Sequence, residues 1–287
     1  MKTKFEYLVI LWICIAMIGF SSTVAFAKKN ACGKEMTAEE MAEIALASVE
    51  IQNVMAMHQL LGAPGGDHDL ELATIWAQKT PGVTFAHNVG IVTGIDAIRK
   101  YYGTGKGYTN DPKKEQTATP QGMMQAGAGN ISFRTLTTPI VHVAGDGKTA
   151  KAYWYTPGFQ ANIQNGQGNS IWSYEKYAID FVKEDGAWKI WHFHVYNDWE
   201  IPMGKDLAQY VLEQKKTGGA RRGGAPAGAP EGDRGGVPGL SPEVAKAFKG
   251  TVFGEPYSAD KVPNNLKSPR PPEAYCTFSD TFSYADE

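Results

Sequence analysis

The stretch from Ser170 to Glu200, SIWSYEKYAIDFVKEDGAWKIWHFHVYNDWE, restricts the fold more than any other part of the chain. Ile171 to Val182 is rich in aromatic and β-branched residues, which suit a pleated surface. Lys183-Glu184-Asp185-Gly186 supplies an Asp-Gly turn, and Ala187 to Trp199 returns beside the first strand. Alternation places Trp188, Ile190, His192, His194, Tyr196 and Asp198 on one face, and Lys189, Trp191, Phe193, Val195 and Asn197 on the other. Both faces are largely apolar, so each needs a cover. The chain's own helices would supply one, and a partner subunit is a candidate for the other.

The rest of the chain has to supply that cover, and 287 residues are enough for a full core. With 43% hydrophobic and 20% charged residues and a net charge of −2, nothing points to a nucleic-acid surface or an acidic tail. The first 27 residues read as an export signal: basic Lys2 and Lys4, an apolar run from Tyr7 to Phe20, and Ala25-Phe26-Ala27 before the cut. The run is short for a membrane span, although an uncleaved anchor stays open. A periplasmic or secreted location is expected. Cys14 leaves with that segment, so Cys32 and Cys276 remain, either as a disulfide or as two free thiols.

Along the mature chain, Thr37-Ala38-Glu39-Glu40 is a capping box. The helix it opens carries Ile44, Ile51, Val54, Met55, His58 and Leu61 in one stripe. Asp67 or Asp69 caps a second helix with Leu70, Ala73 and Trp76. A strand over Val83 to Val92 and a third helix over Ile95 to Tyr102 follow. Thr104 to Gly129 is a polar, Gly-rich loop of a length usual for a lid, a binding loop or disorder. Strands return over Ile131 to Val143, where Pro139 marks a bulge or an edge, and over Thr149 to Thr156. Asn162 to Asn169 reads as a loose connection. After a helix from Gly204 to Lys216 comes a Gly/Pro/Arg-rich linker, then an extended tail that wraps the domain or lies disordered. The divisions are 1–27 signal peptide, 28–35 N-terminal extension, 36–203 domain, 204–240 helix end and linker, and 241–287 tail. Helices first and long antiparallel strands after make an α+β pattern, with the helices gathered on one face of a curved sheet.

Four stretches in this order resemble the nuclear-transport-factor-2-like superfamily, in its SnoaL-like polyketide-cyclase and dehydratase branch. They are Ile51 to Trp76 (with D-x-x-x-A-x-x-W), Gly94-Ile95-x-Ala97-Ile98, Thr138-Pro139-Ile140-Val141-x-Val143, and Tyr177-x-x-Asp180-Phe181-Val182-x-Glu184-Asp185-Gly186-x-Trp188-Lys189-Ile190. The resemblance covers residues 38–200 and implies a cone-shaped antiparallel sheet, packed by three N-terminal helices around a deep apolar pocket, usually in a homodimer. Relatives include cofactor-free dehydratases, isomerases, cyclases and lyases that work by proton transfer, and others that only bind. Two departures stop a dyad from being carried over whole. Helix one has Met57 and His58 where relatives often have Arg or Tyr, and Ile179 stands where many have a carboxylate.

The catalytic candidates are His58, His87, His194, Asp180 and Tyr177. An imidazole in a pocket is a natural base near neutral pH, and Tyr177 or Asp180 could polarise the oxygen that gains charge. Each has a plainer reading as a core or ion-paired residue, Asp180 with Lys151 or Lys176. Trp154, Tyr153, Trp188 and Tyr196 would wall a flat apolar ligand, and Arg134 would hold an anionic group. His192 and His194 form an H-x-H pair that could bind metal with Asp198, Glu200 or His68, but the motif is weak alone. The leading expectation is therefore a cofactor-independent lyase, dehydratase or isomerase acting on a small hydrophobic, cyclic or aromatic molecule. A non-catalytic binding module and a metal-dependent enzyme are the alternatives.

Overall fold

The computed structural model describes residues 28–63, 66–87, 90–102, 131–164, 167–216 and 269–286. The expected export signal, the 104–129 loop and the Gly-rich linker lie outside them. Helix α1 (Ala38–Leu61) begins with the capping box: Thr37 Oγ1 accepts from Glu40 N at 3.1 Å, and Glu40 Oε2 accepts from Thr37 N at 2.8 Å. Ala47, Ile51, Met55 and His58, spaced four, four and three apart, are its buried stripe. Helix α2 (His68–Thr74) is capped by Asp67, which accepts from Leu70 N. It stops before Trp76, which instead bridges to Ile190.

The predicted strand at Val83 to Val92 is two short strands, β1 (Thr84–His87) and β2 (Gly90–Thr93), folded on each other. Gly90 takes φ 139°, a conformation that glycine alone adopts readily, and the chain reverses there. Helix α3 (Ile95–Tyr102) follows. The next predicted strand is likewise two, β3 (Ile131–Arg134) and β4 (Thr137–Val143), with the register breaking between Thr137 and Ile140, around Pro139. Both lie along β5 (Thr149–Gln164). The predicted loose connection at 162–169 is mostly strand, because β5 and β6 (Gln167–Glu184) pair out to Gln164 and Gln167. Strand β7 (Ala187–Pro202) completes the long hairpin through Asp185 and Gly186, at φ 50° and 81°, the two left-handed residues of a tight primed turn. Helix α4 (Leu207–Lys216) follows β7 and is the last α-helix among the described residues.

The seven strands make one open sheet in the order β2-β1-β7-β6-β5-β3, with β4 also on β5. One pair departs from the expected antiparallel pattern: β1 runs parallel to β7. The inner face, with Trp154, Tyr177, Ile179, Phe181 and Phe193, packs with Ile51 and Met55 of α1 and Trp76 in the main core. A smaller cluster of Tyr153, Ala178, Tyr196 and Tyr284 covers the outer face. Its cover is therefore the chain's own C-terminal tail, held by a Cys32–Cys276 disulfide. Among the described residues, no helix is long and apolar enough to cross a membrane.

Candidate active site

The end of α1 and the inner face of β3 and β6 enclose a cleft of about 130 Å³, lined by His58, Gln59, Ser132, Phe133, Arg134, Glu175 and Tyr177. Position 58 ends the buried stripe of α1, so its imidazole enters the core side, where it meets Phe193 and Tyr177 edge-on at 4.8 and 5.9 Å. His58 Nδ1 lies 2.7 Å from Glu71 Oε1, and Trp76 Nε1 donates to that same oxygen at 3.1 Å. Glu71 is completely buried, and a carboxylate there must be hydrogen-bonded to be tolerated. Both donors are held rigidly, His58 by the helix and Trp76 by the bridge of Ile75 and Ala77 to Ile190. His68 Nδ1 stands 3.6 Å from the other Glu71 oxygen. Burial pushes the His68 imidazole below its ordinary pKa, with Glu71 pulling the other way.

Across the cleft, Arg134 Nη2 donates to Glu175 Oε1 at 2.9 Å, and Nη1 reaches the Phe133 and Phe159 carbonyls. The arginine passes close to Gly158, where an added Cβ would sit 2.6 Å from its Cδ. Burial drives the Tyr177 hydroxyl pKa far upward, reinforced by Glu175 and partly offset by Arg134. Tyr177 is therefore held in its protonated form.

Of the predicted site residues, His58, Tyr177 and Arg134 come together. The other two histidines do not join them. His87 ends β1 opposite Gly90, outside the cleft lining. His194 is on the outer face, stacked on Tyr196 at 3.8 Å. The cause is a bulge in β7: Asp180 pairs with His192 and Phe181 with Ile190, so one residue is skipped. Trp188 and Ile190 stay in the inner core, while His192, His194 and Tyr196 turn outward, against simple alternation. Asp180 is also outward and pairs with Lys151 at 2.6 Å, not with Lys176, which pairs with Asp198. Trp154 and Trp188 are inner-core residues, and Tyr153 and Tyr196 lie in the outer-face cluster with Tyr284, so none walls the cleft. For the metal alternative, His192 Nδ1 is engaged by Asp180. No group of three or more metal-type ligands is assembled among the described residues.

Sequence reasoning passed over Glu71 and Glu175. Glu175 was readable, since it alternates with Tyr177 on one strand face. Glu71 was less so, because an acidic residue on a short helix normally points to water.

A family model described as the SnoaL-like domain matches residues 45–194, just over half of the chain. The chain belongs to the SnoaL-like domain family. The matched span of this SnoaL-like protein contains His58, Glu71, Arg134, Glu175 and Tyr177, whereas both disulfide cysteines fall outside it. Among curated proteins, none matches the chain. Among solved structures, the SnoaL-like chain is similar to the hexachlorocyclohexane dehydrochlorinase LinA-type3 from Novosphingobium barchaimii LL02. That match has 10% identity and a TM-score of 0.41, covering 58% of this chain and 96% of that one. It is also similar to an NTF2-like protein with a cystatin-like fold from Novosphingobium aromaticivorans (16%, 0.36, 62% and 97%). A third is a variant of Rv3472, a protein of unknown function from Mycobacterium tuberculosis (16%, 0.38, 55% and 75%).

Proposed function

We propose that this SnoaL-like domain is a cofactor-independent lyase, dehydratase or isomerase in which His58 is the proton-transferring base. The observation that carries the reading is the 2.7 Å contact between His58 Nδ1 and the buried Glu71. With Nδ1–H donated to the carboxylate, the imidazole is held in one tautomer and one orientation, and its other nitrogen is the proton acceptor. Tyr177, fixed in its protonated form, donates to the substrate oxygen on which charge develops, and the Arg134 guanidinium adds positive charge beside it. Glu71 touches no substrate in this scheme; it positions the base.

The lining also narrows the substrate. The resemblance implied an apolar pocket with aromatic walls, but the side chains facing this cleft are mostly polar; Phe133 turns to the other face of β3, against Phe159. A compact molecule carrying at least one carbonyl or hydroxyl oxygen fits better than a purely apolar one. The test is turnover of a panel of small β-hydroxy, β-halo and cyclic carbonyl compounds. His58→Gln is expected to lower kcat/KM by about 10²- to 10⁴-fold, the usual share of a general base. Undiminished turnover in that variant would remove His58 from the role.

A second reading, a ligand-binding module without catalysis, is favoured by one observation: of the three candidate histidines, His58 alone is in the cleft lining. Calorimetric binding of a panel compound with no turnover would select it. An exported location and a homodimer belong to the proposal as well. A disulfide suits an oxidising compartment, and sedimentation of the purified protein would test the dimer.

A further inference from the structure

We propose that the C-terminal tail is a redox-released strap over a buried Lys151–Asp180–His192 cluster on the outer face of the sheet, opposite the cleft. Asp180 is completely buried and fully committed. Its Oδ1 accepts from Lys151 Nζ at 2.6 Å, and its Oδ2 accepts from His192 Nδ1 at 2.8 Å. Two further donors to Oδ2 come from the tail, the Tyr284 backbone N–H at 2.8 Å and Ser283 Oγ at 3.1 Å. The tail also walls in the Lys151 ammonium with rings: Phe282 at 4.4, Phe278 at 4.7, Tyr284 at 5.0 and Tyr275 at 5.8 Å. A sheet of this kind would not leave a lysine and an aspartate in a dry layer by itself. The tail is what makes the layer dry.

That cover is poised rather than strongly held. Burying an ion pair roughly cancels its own attraction by desolvation, and lifting the tail would return both charges to water. Much of what the tail gains from its rings and hydrogen bonds is therefore offset by the charges it covers. The Cys32–Cys276 bond, closing a separation of 244 residues, is then the element that keeps the tail at high local concentration. Next to it the tail's backbone accepts two bonds, from Gly145 N to the Tyr275 carbonyl and from Asp146 N to that of Cys276. Cys32 is exposed, so a reductant reaches the bond while the domain stays folded. A dithiol delivers two electrons and two protons: its thiolate attacks one cysteine sulfur, the other cysteine leaves as a thiol, and the reagent closes to its cyclic disulfide as the first is released. The freed tail then lifts, and Lys151, Asp180 and His192 meet solvent together.

The experiment uses the full chain, oxidised and treated with dithiothreitol, together with Cys32→Ser, which has no bond to reduce. Two quantities are read by mass spectrometry: hydrogen exchange at the Tyr284 amide and acetylation of Lys151. Expected on reduction, and in Cys32→Ser without reductant, are exchange at least about tenfold faster at Tyr284 and labelling of Lys151, with β5–β7 still protected. Two results would overturn the proposal. One is full reduction with Tyr284 still protected and Lys151 inert. The other is loss of protection across β5–β7 as well, which would make the tail an integral part of the domain.

Discussion

Replacing Glu184 by alanine should loosen the whole entrance to the sheet, because one carboxylate ties down three consecutive backbone amides. Glu184 ends β6, yet its oxygens accept from Gln78 N and Lys79 N at 3.0 Å each and from Thr80 N at 2.7 Å. The segment after Trp76 is thus pinned to the turn of the long hairpin. A hydrogen bond to a charged group contributes about 1.5–3 kcal/mol. The three amides are partly buried and would regain some water, so the net loss is about 2–3 kcal/mol, nearer the cost of one such bond than of three. For a domain of this size that lowers Tm by roughly 5–10 °C. The pH dependence follows from the same bonds. Burial alone would raise the carboxyl pKa, but the Gln78 amide, the Thr80 hydroxyl and the Thr80 and Lys79 amides outweigh it and hold it below its ordinary value. A depressed folded-state pKa means the stabilisation is present above the unfolded value and disappears as pH falls through the folded one. Urea unfolding of wild type and Glu184→Ala should therefore differ fully at pH 7 and converge below about pH 4. A gap under about 0.5 kcal/mol at pH 7, or one unchanged at pH 3, would refute the reasoning.

Lys151→Met should cost about 3–5 kcal/mol in urea unfolding, since it strands the Asp180 charge in the buried layer; a cost below about 1 kcal/mol would mean that layer is wet. Gly158→Ala places a Cβ 2.1 Å from the Phe133 carbonyl and 2.6 Å from Arg134 Cδ. β3 must shift to make room, so we expect a loss of about 1–3 kcal/mol together with weaker ligand binding in calorimetry. Unchanged stability and affinity would show that Arg134 does not depend on that close approach.

The long hairpin, the capping box, the stripe on α1 and the Asp-Gly turn were all legible, because each is a local pattern with one low-energy solution. That His58, Tyr177 and Arg134 share a cleft follows for the same reason: one ends a helical stripe and two lie on strands whose alternation holds. What failed was alternation across a bulge. The skipped residue between Ile190 and His192 moved His192 and His194 to the other face, and no residue in Lys189-Ile190-Trp191-His192 marks it. Bulges are decided by how two strands match over their length, which a single strand's pattern does not contain. Glu71 was missed because its burial depends on two donors, His58 and Trp76, that come from different elements. The Cys32–Cys276 bond and a tail wrapped on the domain were each one of two open readings, but which face the tail covers was not legible, because it depends on contacts between residues far apart in sequence.

The central claim is that His58, held by Glu71, moves a proton in the cleft, and carbon-bound hydrogen exchange tests it whatever the product turns out to be. Purified protein would be incubated in D₂O with the carbonyl panel, and deuterium in the recovered compounds counted by mass spectrometry. Deuterium entering at least one compound with wild type, reduced about 10²-fold or more by His58→Gln and unaffected by His194→Gln, is the predicted outcome. Exchange that survives His58→Gln, or that vanishes instead with His194→Gln, would contradict it.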